Sequence, residues 1–424
     1  MTRRSLRAPL DARDDGGIDA LLERLYARTR GGAPRDPERT RRLLARLELT
    51  APPRIVHVVG TNGKGGVAAR VDAGLRAAGL RPLRFLSPHV ERFHERVAVD
   101  DLPVRDEEIR TFLAHAWRDE PDPAAAFFEL AFALALDVAR RRGADAAVIE
   151  AGVGAARDAT AALPDARVVV VTNVAEDHLD QIGPTVLDVA RDKGAAIRSG
   201  RPAITGAEGA PLEELRRIAS ERGAPLHVLA ERGAAFAWPG DADPPPGGVA
   251  EASARLALAT LRAFGLPSAR EPAALLAATR DPGLPARRER FTLAGGRTVW
   301  LDAAHNPAAA AASWRETPPD AHVLLGVAAR KDARRVRAAF ASAPRLTLVP
   351  ALPGERPWGD DPAFVTDAEA GLDAALGALP PGGTLLVTGS FYLAGLLRPE
   401  LRARSDARAR EAGGADAPGY ARRP

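Results

Sequence analysis

A glycine-rich segment at residues 60–66 (GTNGKGG) has the composition of a phosphate-binding loop. It follows a mostly β-branched run at 55–59 and precedes a helical pattern at 67–78. Backbone N–H groups of such a turn and the N-terminus of the next helix bind phosphate oxygens, and Lys64 adds a compact positive charge. The segment departs from the G-x-x-x-x-G-K-[ST] pattern because two glycines follow the lysine, and a plain glycine turn is the alternative. The residues predicted to contact phosphate groups are Gly60, Thr61, Asn62, Gly63, Lys64, Gly65 and Gly66.

Lysine is rare in this chain, and its few positions are informative. Only 3 of the 59 basic residues are lysine, at Lys64, Lys193 and Lys331. A compact ammonium group and a planar guanidinium group are not interchangeable at a close phosphate or a reactive amine. The retained lysines therefore indicate functional positions, although chance can account for any one of them. The chain's only asparagines and glutamine are Asn62, Asn173, Asn306 and Gln181.

Carboxylate and imidazole side chains stand where predicted strands end. Glu150 closes one buried strand, and His178 follows another, next to Asp177. Sheets of α/β proteins carry functional groups at the carboxyl ends of their strands. Together with the Ser87 hydroxyl, these side chains offer the oxygen and nitrogen ligands of a partial Mg²⁺ shell. Taken alone, His178 could equally be a hydrogen-bonded core histidine.

The elements that carry these residues alternate between strands and helices. Strands are predicted at 55–59, 146–149, 168–172 and 203–205, and helices within 18–48 and at 67–78, 124–141 and 251–264. After Gly/Pro-rich segments at 239–248 and 281–289, further strands are predicted at 298–301, 323–325, 346–349 and 384–387. This alternation predicts an α/β fold with parallel sheets covered on both faces. We predict domains at 1–282 and 283–403, followed by a disordered polar tail at 404–424.

The composition excludes several classes of protein. The 424 residues are 46% hydrophobic and 27% charged, and no apolar run approaches the roughly 20 residues of a membrane span. The absence of cysteine removes disulfides, thiolate metal sites and cysteine nucleophiles. A net charge of +4 without a basic stripe argues against nucleic-acid binding. We therefore expect a soluble, cytoplasmic protein with neither a nucleic-acid nor a membrane partner.

The motifs, taken in order, resemble those of one enzyme family. GTNGKG resembles the ATP loop of the Mur-ligase superfamily, and FLSPHVERFHERV at 85–97 resembles a segment of folylpolyglutamate synthases and dihydrofolate synthases. The other matching segments are FFE at 127–129, EAGVGAARDAT at 150–160, TNVAEDHLDQIGPT at 172–185, ARDKGAAI at 190–197, LPARRE at 284–289, LDAAHNP at 301–307, RKD at 330–332 and VTGSFYL at 387–393. The resemblance implies an N-terminal Mur-ligase-type P-loop ATPase domain with a parallel-rich central sheet, and a smaller C-terminal Rossmann-like α/β domain.

The resemblance also implies the metal ligands. Ser87, Glu150 and His178 match the family's Mg²⁺ ligands, and His178 is counted with Lys64 among the catalytic residues. Lys193 matches a catalytic lysine that is carbamylated in related ligases, where the carbamate binds a second metal ion. The alternative for Lys193 is an ordinary surface lysine. ATP and Mg²⁺ are the implied cofactors, with up to two metal sites.

In the C-terminal domain, three residues match family positions at the ATP site. By resemblance, Arg287 contacts the phosphates of ATP, Asp302 the ribose, and His305 the transferred phosphate or the incoming amine. Lys331 and Asp332 match a Lys-Asp pair of less defined role. The alternatives are a helix-capping turn for the His305 segment and a solvated loop pair for Lys331 and Asp332.

Two segments match the family's pterin-binding site. An aromatic ring stacks on a pterin, and a carboxylate accepts hydrogen bonds from its N–H edge. Two adjacent phenylalanines are equally ordinary core residues. The residues implied to bind the substrate are Phe127, Phe128, Glu129, Arg157, Asp158 and Ala159.

The chain departs from the family pattern at several of these positions. Gly66 stands where the family has Ser or Thr, and Ala155 and Ala286 replace motif glycines. Residues 251–255 (EASAR) occupy a stretch that carries Gln and an adenine-contacting Asn in the family. The effect of Gly66 and Ser253 on ATP binding is therefore left open.

The reaction implied by the resemblance is ATP-dependent amide formation through an acyl phosphate. L-Glutamate would be joined to dihydropteroate, to folate (poly)glutamates or to both, and we predict the bifunctional enzyme. We expect a monomer that acts on small-molecule substrates. The alternatives are another Mur-type amide ligase and a catalytically weakened nucleotide-binding homologue.

Overall fold

The computed structural model describes residues 17–28, 35–118, 125–240, 247–329, 331–359 and 361–411, with side chains as far as 407. The chain forms two compact units, Met1–Pro282 and Gly283–Pro424. None of the described helices has both the length and the apolar character needed to cross a membrane.

The first unit is built on an eight-stranded sheet. Its strands are β1 (Ile55–Val59), β2 (Pro82–Phe85), β3 (Val97–Val99), β4 (Leu102–Pro103), β5 (Ala146–Glu150), β6 (Val168–Val171), β7 (Ala203–Thr205) and β8 (Leu226–Val228). Their order is β4-β3-β2-β5-β1-β6-β7-β8. The six strands from β2 to β8 pair in parallel, whereas β3 and β4 form an antiparallel edge. The predicted parallel-rich sheet is thus confirmed.

Helices cover this sheet on both faces. They are α1 (Gly17–Ala27), α2 (Pro37–Arg46), α3 (Lys64–Ala77), α4 (Asp106–Ala116), α5 (Phe127–Arg141), α6 (Leu179–Ile182), α7 (Val186–Gly194), α8 (Gly209–Glu221), α9 (Gly248–Phe264) and α10 (Glu271–Thr279). All five residues of the central strand β1 are buried, which requires cover on both sides because successive side chains point to opposite faces. One core includes residues of α1, α2, α4, α5 and α8, while α3, α9 and α10 pack on one another.

The second unit has a smaller, mostly parallel sheet. Its strands are β9 (Glu289–Thr292), β10 (Thr298–Asp302), β11 (His322–Leu325), β12 (Arg345–Leu348) and β13 (Thr384–Thr388), in the order β12-β11-β13-β10-β9. Only the edge strand β9 is antiparallel to its neighbour. The helices are α11 (Pro307–Arg315), α12 (Ala333–Ala338), α13 (Ala368–Gly377) and α14 (Phe391–Glu411). This confirms the second, smaller α/β sheet.

The predicted disordered tail begins too early. Helix α14 continues to Glu411, so residues 404–411 are helical, and 412–424 lie outside the described residues. Ion pairs hold this part of the helix: Arg404 contacts Glu400 at 2.7 Å and Asp373 at 2.6 Å. Ser405 Oγ also donates a hydrogen bond of 3.2 Å to the carbonyl oxygen of Thr292. Polar composition at this point reflects an exposed helix face rather than disorder.

Candidate active site

The glycine-rich segment connects β1 to α3 in a conformation that glycine alone tolerates. Gly60 has a φ of 143°, and a Cβ atom there would lie 1.9 Å from Thr172 Oγ1. Gly63 has a left-handed φ of 80° and immediately precedes Lys64, the first residue of α3. The N–H groups of the first helical turn are therefore directed into the loop, as phosphate binding requires.

The segment that follows β6 holds this loop in place. Thr61 N donates to Asn173 O at 3.0 Å, and Asn62 N donates to Asn173 Oδ1 at 2.9 Å. Thr172 Oγ1 donates to Asn62 O at 2.7 Å. Asn173 thus uses both its backbone and its side chain to fix the loop, which explains its retention in a chain with few asparagines.

Lys193 is buried beneath the phosphate loop. It lies on α7, is 3% exposed, and its Nζ donates to Gly60 O at 3.0 Å. The surface-lysine alternative is therefore wrong. Burial, together with the neighbouring Lys64, lowers the pKa of Lys193 to about 7, against the opposing effect of nearby aspartates. A sizeable fraction of this amine is consequently neutral near pH 7.

Asp192, the neighbour of Lys193, fixes another loop of the site. Its Oδ2 accepts from Ala155 N at 2.7 Å, and its Oδ1 accepts from Ala156 N at 3.3 Å. A Cβ atom on Gly154, whose φ is 70°, would lie 2.3 Å from Asp192 Oδ2. Helix α7 therefore anchors both the phosphate loop and the loop that follows β5.

Of the four predicted metal ligands, Ser87 and Glu150 are hydrogen-bonded to each other. Ser87 and Glu150 lie at the carboxyl ends of the paired strands β2 and β5, and Ser87 N donates to Glu150 Oε2 at 2.9 Å. His178 has a φ of 53°, precedes α6, and places Nε2 3.7 Å from Asp177 Oδ2. Within the described parts of the chain, no three His, Asp or Glu side chains form a metal-binding cluster.

These donors suit a hard divalent cation. A hydroxyl, a carboxylate and an imidazole are ligands of Mg²⁺ and Mn²⁺, which retain water and phosphate oxygens in their shells. The Glu150 carboxylate is already oriented by the Ser87 N–H, which is the type of supporting contact that fixes a metal ligand. The residues present therefore fit the predicted Mg²⁺.

Glu129, predicted to bind the pterin, is instead engaged with the protein. Its carboxylate accepts hydrogen bonds from Nε and Nη2 of Arg39 at 2.6–2.9 Å. Its Oε2 also accepts a hydrogen bond from Ala126 N at 2.9 Å. Both residues are buried: Glu129 is 4% exposed and Arg39 is 8% exposed. These contacts give Glu129 a place at the N-terminus of α5 and in a buried ion pair, and its substrate contact stays a prediction.

The two phenylalanines before Glu129 belong to aromatic packing. The Phe128 ring lies 5.5 Å from the Phe85 ring, and a Cβ atom on Gly152 would approach Phe128 Cζ to 2.8 Å. The Phe127 ring lies 5.4 Å from the Tyr26 ring, with Arg96 5.0 Å from its centroid. Phe128 borders the loop after β5 and so lies beside the residues of that loop that are predicted to bind the substrate.

Asp158 organises that loop from a buried position. Its Oδ2 accepts from the N–H groups of Gly152 and Val153, both at 3.1 Å. Its Oδ1 accepts from Thr160 Oγ1 at 2.7 Å, and Thr160 Oγ1 in turn lies 2.9 Å from His57 Nε2. Burial raises the pKa of Asp158, while these hydrogen bonds lower it. Of the other residues predicted to bind the substrate, Arg157 is exposed and Ala159 is buried.

Two predicted residues of the second unit, Arg287 and His305, contact the ring of Phe391. The guanidinium carbon of Arg287 lies 4.2 Å from the Phe391 ring centroid, and the His305 ring lies 5.5 Å from it. His305 Nδ1 is 3.0 Å from Ala303 O. Burial raises the pKa of Asp302, and Arg287 opposes this effect. The sequence analysis quoted Phe391 within a motif but missed its role as the platform for these side chains.

Two adjacent arginines have different environments. Arg287 stacks on Phe391, whereas Arg288 donates to Ser313 O at 3.2 Å and to Thr317 Oγ1 at 2.9 Å. Arg288 also donates to Glu316 O at 2.6 Å and stacks on Trp300 at 4.7 Å. Arg288 therefore closes the C-terminus of α11, and the phosphate contact of Arg287 stays a prediction.

Asn306 and Asp332 both cap helices. Asn306 Oδ1 accepts from Ala309 N at 2.9 Å at the start of α11, as the capping alternative for this segment predicts. Asp332 Oδ1 accepts from Arg335 N at 3.1 Å at the start of α12. Helix capping thus gives Asp332 a structural role. His305 directly precedes the capping residue Asn306 and does not itself cap the helix.

Comparison with known proteins identifies the family. The dihydrofolate synthase/folylpolyglutamate synthase of Escherichia coli strain K12 is 30% identical over 401 residues, which are 88% of this chain and 92% of that protein. The chain belongs to the folylpolyglutamate synthase/dihydrofolate synthase family. A probable bifunctional folylpolyglutamate synthase/dihydropteroate synthase of Haloferax volcanii is 30% identical over 404 residues, and the chain spans 47% of its length. No protein-family model matches the chain.

Solved structures of this family share the fold over nearly the whole chain. E. coli FolC in complex with DHPP and ADP has a TM-score of 0.78 and 27% identity, covering 92% of this chain and 98% of that one. A bifunctional enzyme of Yersinia pestis, complexed with AMPPNP and Mn ion, has a TM-score of 0.78 and 26% identity, covering 91% and 98%. A bifunctional enzyme with Mn, AMPPNP and L-glutamate bound also has a TM-score of 0.78 and 26% identity, covering 93% and 100%. The predicted fold, family and class of ATP-dependent ligase are confirmed, and the roles of individual residues stay predictions.

Proposed function

We propose that this chain is a bifunctional enzyme that adds L-glutamate both to dihydropteroate and to folates or their polyglutamates. The observation that carries the proposal is the similarity to the E. coli dihydrofolate synthase/folylpolyglutamate synthase over 88% of the chain. The strained glycine loop with Lys64 at the start of α3 gives it a physical basis. Related structures that hold ADP with DHPP, or AMPPNP with L-glutamate, support the same substrates.

The proposed reaction forms the amide in two steps. A carboxylate oxygen of the acceptor attacks the γ-phosphorus of ATP, the bond to the bridging oxygen breaks, and ADP leaves with that electron pair. The amine of glutamate then adds to the acyl carbon, loses a proton and displaces phosphate. The loop N–H groups and Lys64 stabilise the negative charge of the transferred phosphoryl group throughout.

Ser87, Glu150 and His178 would hold Mg²⁺. When bound, the ion neutralises phosphate charge and orients the transferred group. The chain's own contribution is orientation: Glu150 is fixed by Ser87 N, and His178 is held at a left-handed position beside Asp177. The donor chemistry of these three residues supports this assignment.

We further propose that Lys193 is carbamylated in the active enzyme. Its neutral amine would attack CO₂ and lose a proton, which yields a carboxylate-like group for a second cation. Carbamylation needs an uncharged amine, and burial lowers the pKa of Lys193 to about 7. The buried setting below Gly60 also shields the carbamate from hydrolysis.

In the second unit, Arg287, Asp302 and His305 are proposed to act on ATP. Arg287 would offer its guanidinium group to a phosphate, and Phe391 packs against this group. Asp302 would bind the ribose, and His305 would lie near the transferred phosphate or the incoming amine. The contacts of Arg287 and His305 with one ring support a shared role.

The acceptor is proposed to bind beside the loop that follows β5. Phe128 would offer a stacking surface, Arg157 an exposed positive charge, and Asp158 the buried scaffold of the loop. We propose a structural role for Glu129, because Arg39 and the N-terminus of α5 already hold its carboxylate. We also propose a monomeric, cytoplasmic enzyme without nucleic-acid or membrane partners, which sizing chromatography and localisation would test.

The direct test uses purified protein with ATP, Mg²⁺ and L-glutamate, and either dihydropteroate or a reduced folate. We expect ADP release that depends on both the acceptor and glutamate, and products heavier by one glutamate residue with each acceptor. Lys64→Met, with the loop otherwise intact, gives the background. Addition to only one acceptor would contradict bifunctionality, and addition to neither by a folded sample would favour a weakened nucleotide binder or another Mur-type substrate.

A further inference from the structure

The turn that carries Arg287 has a strained backbone. Ala286 and Arg288, on either side of Arg287, have left-handed φ angles of 51° and 55°. A Cβ atom makes this conformation unfavourable, and neither residue is a glycine. Ala286 is also fully buried. Because a strained turn persists only where surrounding contacts hold it, the contacts of Ala286 determine where the Arg287 side chain begins.

Two hydrogen bonds hold the backbone of Ala286. Its N–H donates to Glu289 Oε2 at 3.0 Å, and its carbonyl oxygen accepts from Ala303 N at 3.0 Å. The carbonyl oxygen of Ala303 in turn accepts a hydrogen bond from His305 Nδ1 at 3.0 Å. The turn of Arg287 is therefore joined by hydrogen bonds to the segment that carries His305.

Arg398, on α14, fixes the carboxylate of Glu289. Its Nε lies 3.0 Å from Oε1 and 2.7 Å from Oε2, and its Nη2 donates to Oε1 at 2.7 Å. The Arg398 side chain is 14% exposed and that of Glu289 is 21% exposed, so the pair is largely shielded from water. A guanidinium group with two donors on one carboxylate fixes the orientation of that carboxylate. The oxygen that accepts from Ala286 N is therefore held in place.

The same helix carries the ring against which Arg287 packs. Phe391 begins α14, and Arg398 follows two turns later on the same face of the helix. The guanidinium carbon of Arg287 lies 4.2 Å from the centroid of the Phe391 ring. Helix α14 thus contacts the side chain of Arg287 through Phe391, and it supports the turn of Arg287 through Glu289.

We propose that Glu289 and Arg398 are positioning residues for the ligase reaction, which hold Arg287 where it contacts a phosphate of ATP. Arg398 orients the Glu289 carboxylate, and this carboxylate keeps Ala286 in its left-handed conformation. Both side chains act only through Arg287. A cation that is fixed in advance stabilises the transferred charge without reorganising during the reaction. The inference rests on the phosphate contact that is proposed for Arg287.

The test is a double-mutant cycle in the full chain, measured as kcat per folded molecule. Glu289→Ala removes the acceptor for Ala286 N–H and should lower kcat about tenfold or more, the scale expected for a misplaced catalytic group. Glu289→Gln keeps an oxygen for that N–H, and Arg398→Met keeps the carboxylate, so each should lower kcat about threefold. In the Arg287→Ala background each change should cost less than about twofold, because residues that act as a unit are not additive. The KM for the acceptor should stay within about twofold of wild type.

Glu108→Ala is the matched control, because Glu108 has the same kinds of partner on α4. Its carboxylate accepts from Arg105 N at 2.8 Å and from Arg142 Nε at 2.9 Å. Its loss should lower the Tm but keep kcat per folded molecule within about twofold of wild type, with or without Arg287. Thermal unfolding measures the folded fraction of every variant.

The inference is overturned if Glu289→Gln, Glu289→Ala and Arg398→Met all keep the kcat of wild type. It is also overturned if these changes lower kcat equally with and without Arg287, since a purely structural role predicts that result. If Glu289→Ala does not fold, Glu289→Gln and Arg398→Met complete the same cycle. A folded wild-type chain that joins glutamate to neither acceptor would contradict the proposed function itself, and this inference with it.

Discussion

Lys193 Nζ donates a 3.0 Å hydrogen bond to the carbonyl oxygen of Gly60, the first residue of the phosphate loop. The same helix, α7, presents Asp192 to the loop that follows β5. A single helical turn therefore connects the nucleotide loop with the loop proposed to bind the acceptor. Any change in the size or charge of Lys193 acts on both.

Lys193→Arg should lower glutamate ligation by about 10- to 100-fold, the usual effect of removing a supporting metal-site group. Arginine is larger, stays charged and cannot be carbamylated. With ¹³C-bicarbonate, wild type should show a carbamate carbon resonance that Lys193→Arg lacks. Arg191→Lys, on the exposed face of α7, is the control and should keep its activity. An active wild-type enzyme without the resonance would contradict carbamylation.

Exchanging Arg287 and Arg288 for alanine should separate activity from stability. Arg287→Ala should lower kcat about 100-fold or more, and it should destabilise the protein by no more than about 1 kcal/mol, the usual contribution of a cation over an aromatic ring. Arg288→Ala should remove the hydrogen bonds that close α11 and cost about 1–3 kcal/mol, with activity per folded molecule retained. Urea unfolding and steady-state kinetics measure the two effects. The reverse pattern would show that the two roles are misassigned.

The buried pair of Arg39 and Glu129 should matter for stability rather than for acceptor binding. Glu129→Ala leaves the Arg39 guanidinium buried without its carboxylate, and should cost about 3–5 kcal/mol in the free energy of unfolding. The double variant Arg39→Met/Glu129→Leu should recover much of this loss, because no buried charge remains. A raised KM for dihydropteroate in Glu129→Gln, with unchanged stability, would instead restore the pterin contact expected from sequence.

Buried His57 should make stability depend on pH. Thr160 donates its hydroxyl proton to Asp158, so its oxygen accepts from His57 Nε2–H, and burial lowers the pKa of His57 from 6.5 to about 3. Between these values the unfolded chain binds one more proton, so stability falls as pH falls from 6.5 towards 3 and is unaffected above that window.

His57→Gln should remove up to about 1.4 kcal/mol per pH unit from this slope. The free energy of unfolding in urea, measured across the acidic range, reports the change. His115→Gln, at an exposed position on α4, is the control. An unchanged slope in His57→Gln would show that the ring titrates outside this window.

Sequence alone could predict the glycine-rich turn between a strand and a helix, and single out Lys193, because the local signals are strong. Glycines at positive φ, a strand before them and a helix after them are encoded within about twenty residues. The scarcity of lysine also separated Lys193 from a background of arginines. Its burial under Gly60 gives that scarcity a physical cause.

Glu129 and Phe391 lay beyond sequence reasoning because their partners are distant in the chain. Arg39 is 90 residues from Glu129, and no local pattern announces a buried ion pair over that separation. Phe391 likewise contacts Arg287 and His305, which lie in two other segments of the chain.

The most direct test of the account uses an acceptor labelled with ¹⁸O in the carboxylate that receives glutamate. The protein is incubated with ATP, Mg²⁺ and L-glutamate, and the released phosphate is analysed by mass spectrometry. If the carboxylate attacks the γ-phosphate before glutamate displaces it, each phosphate released with product carries one ¹⁸O. Product formed with unlabelled phosphate would contradict the acyl phosphate route and the role assigned to the phosphate loop.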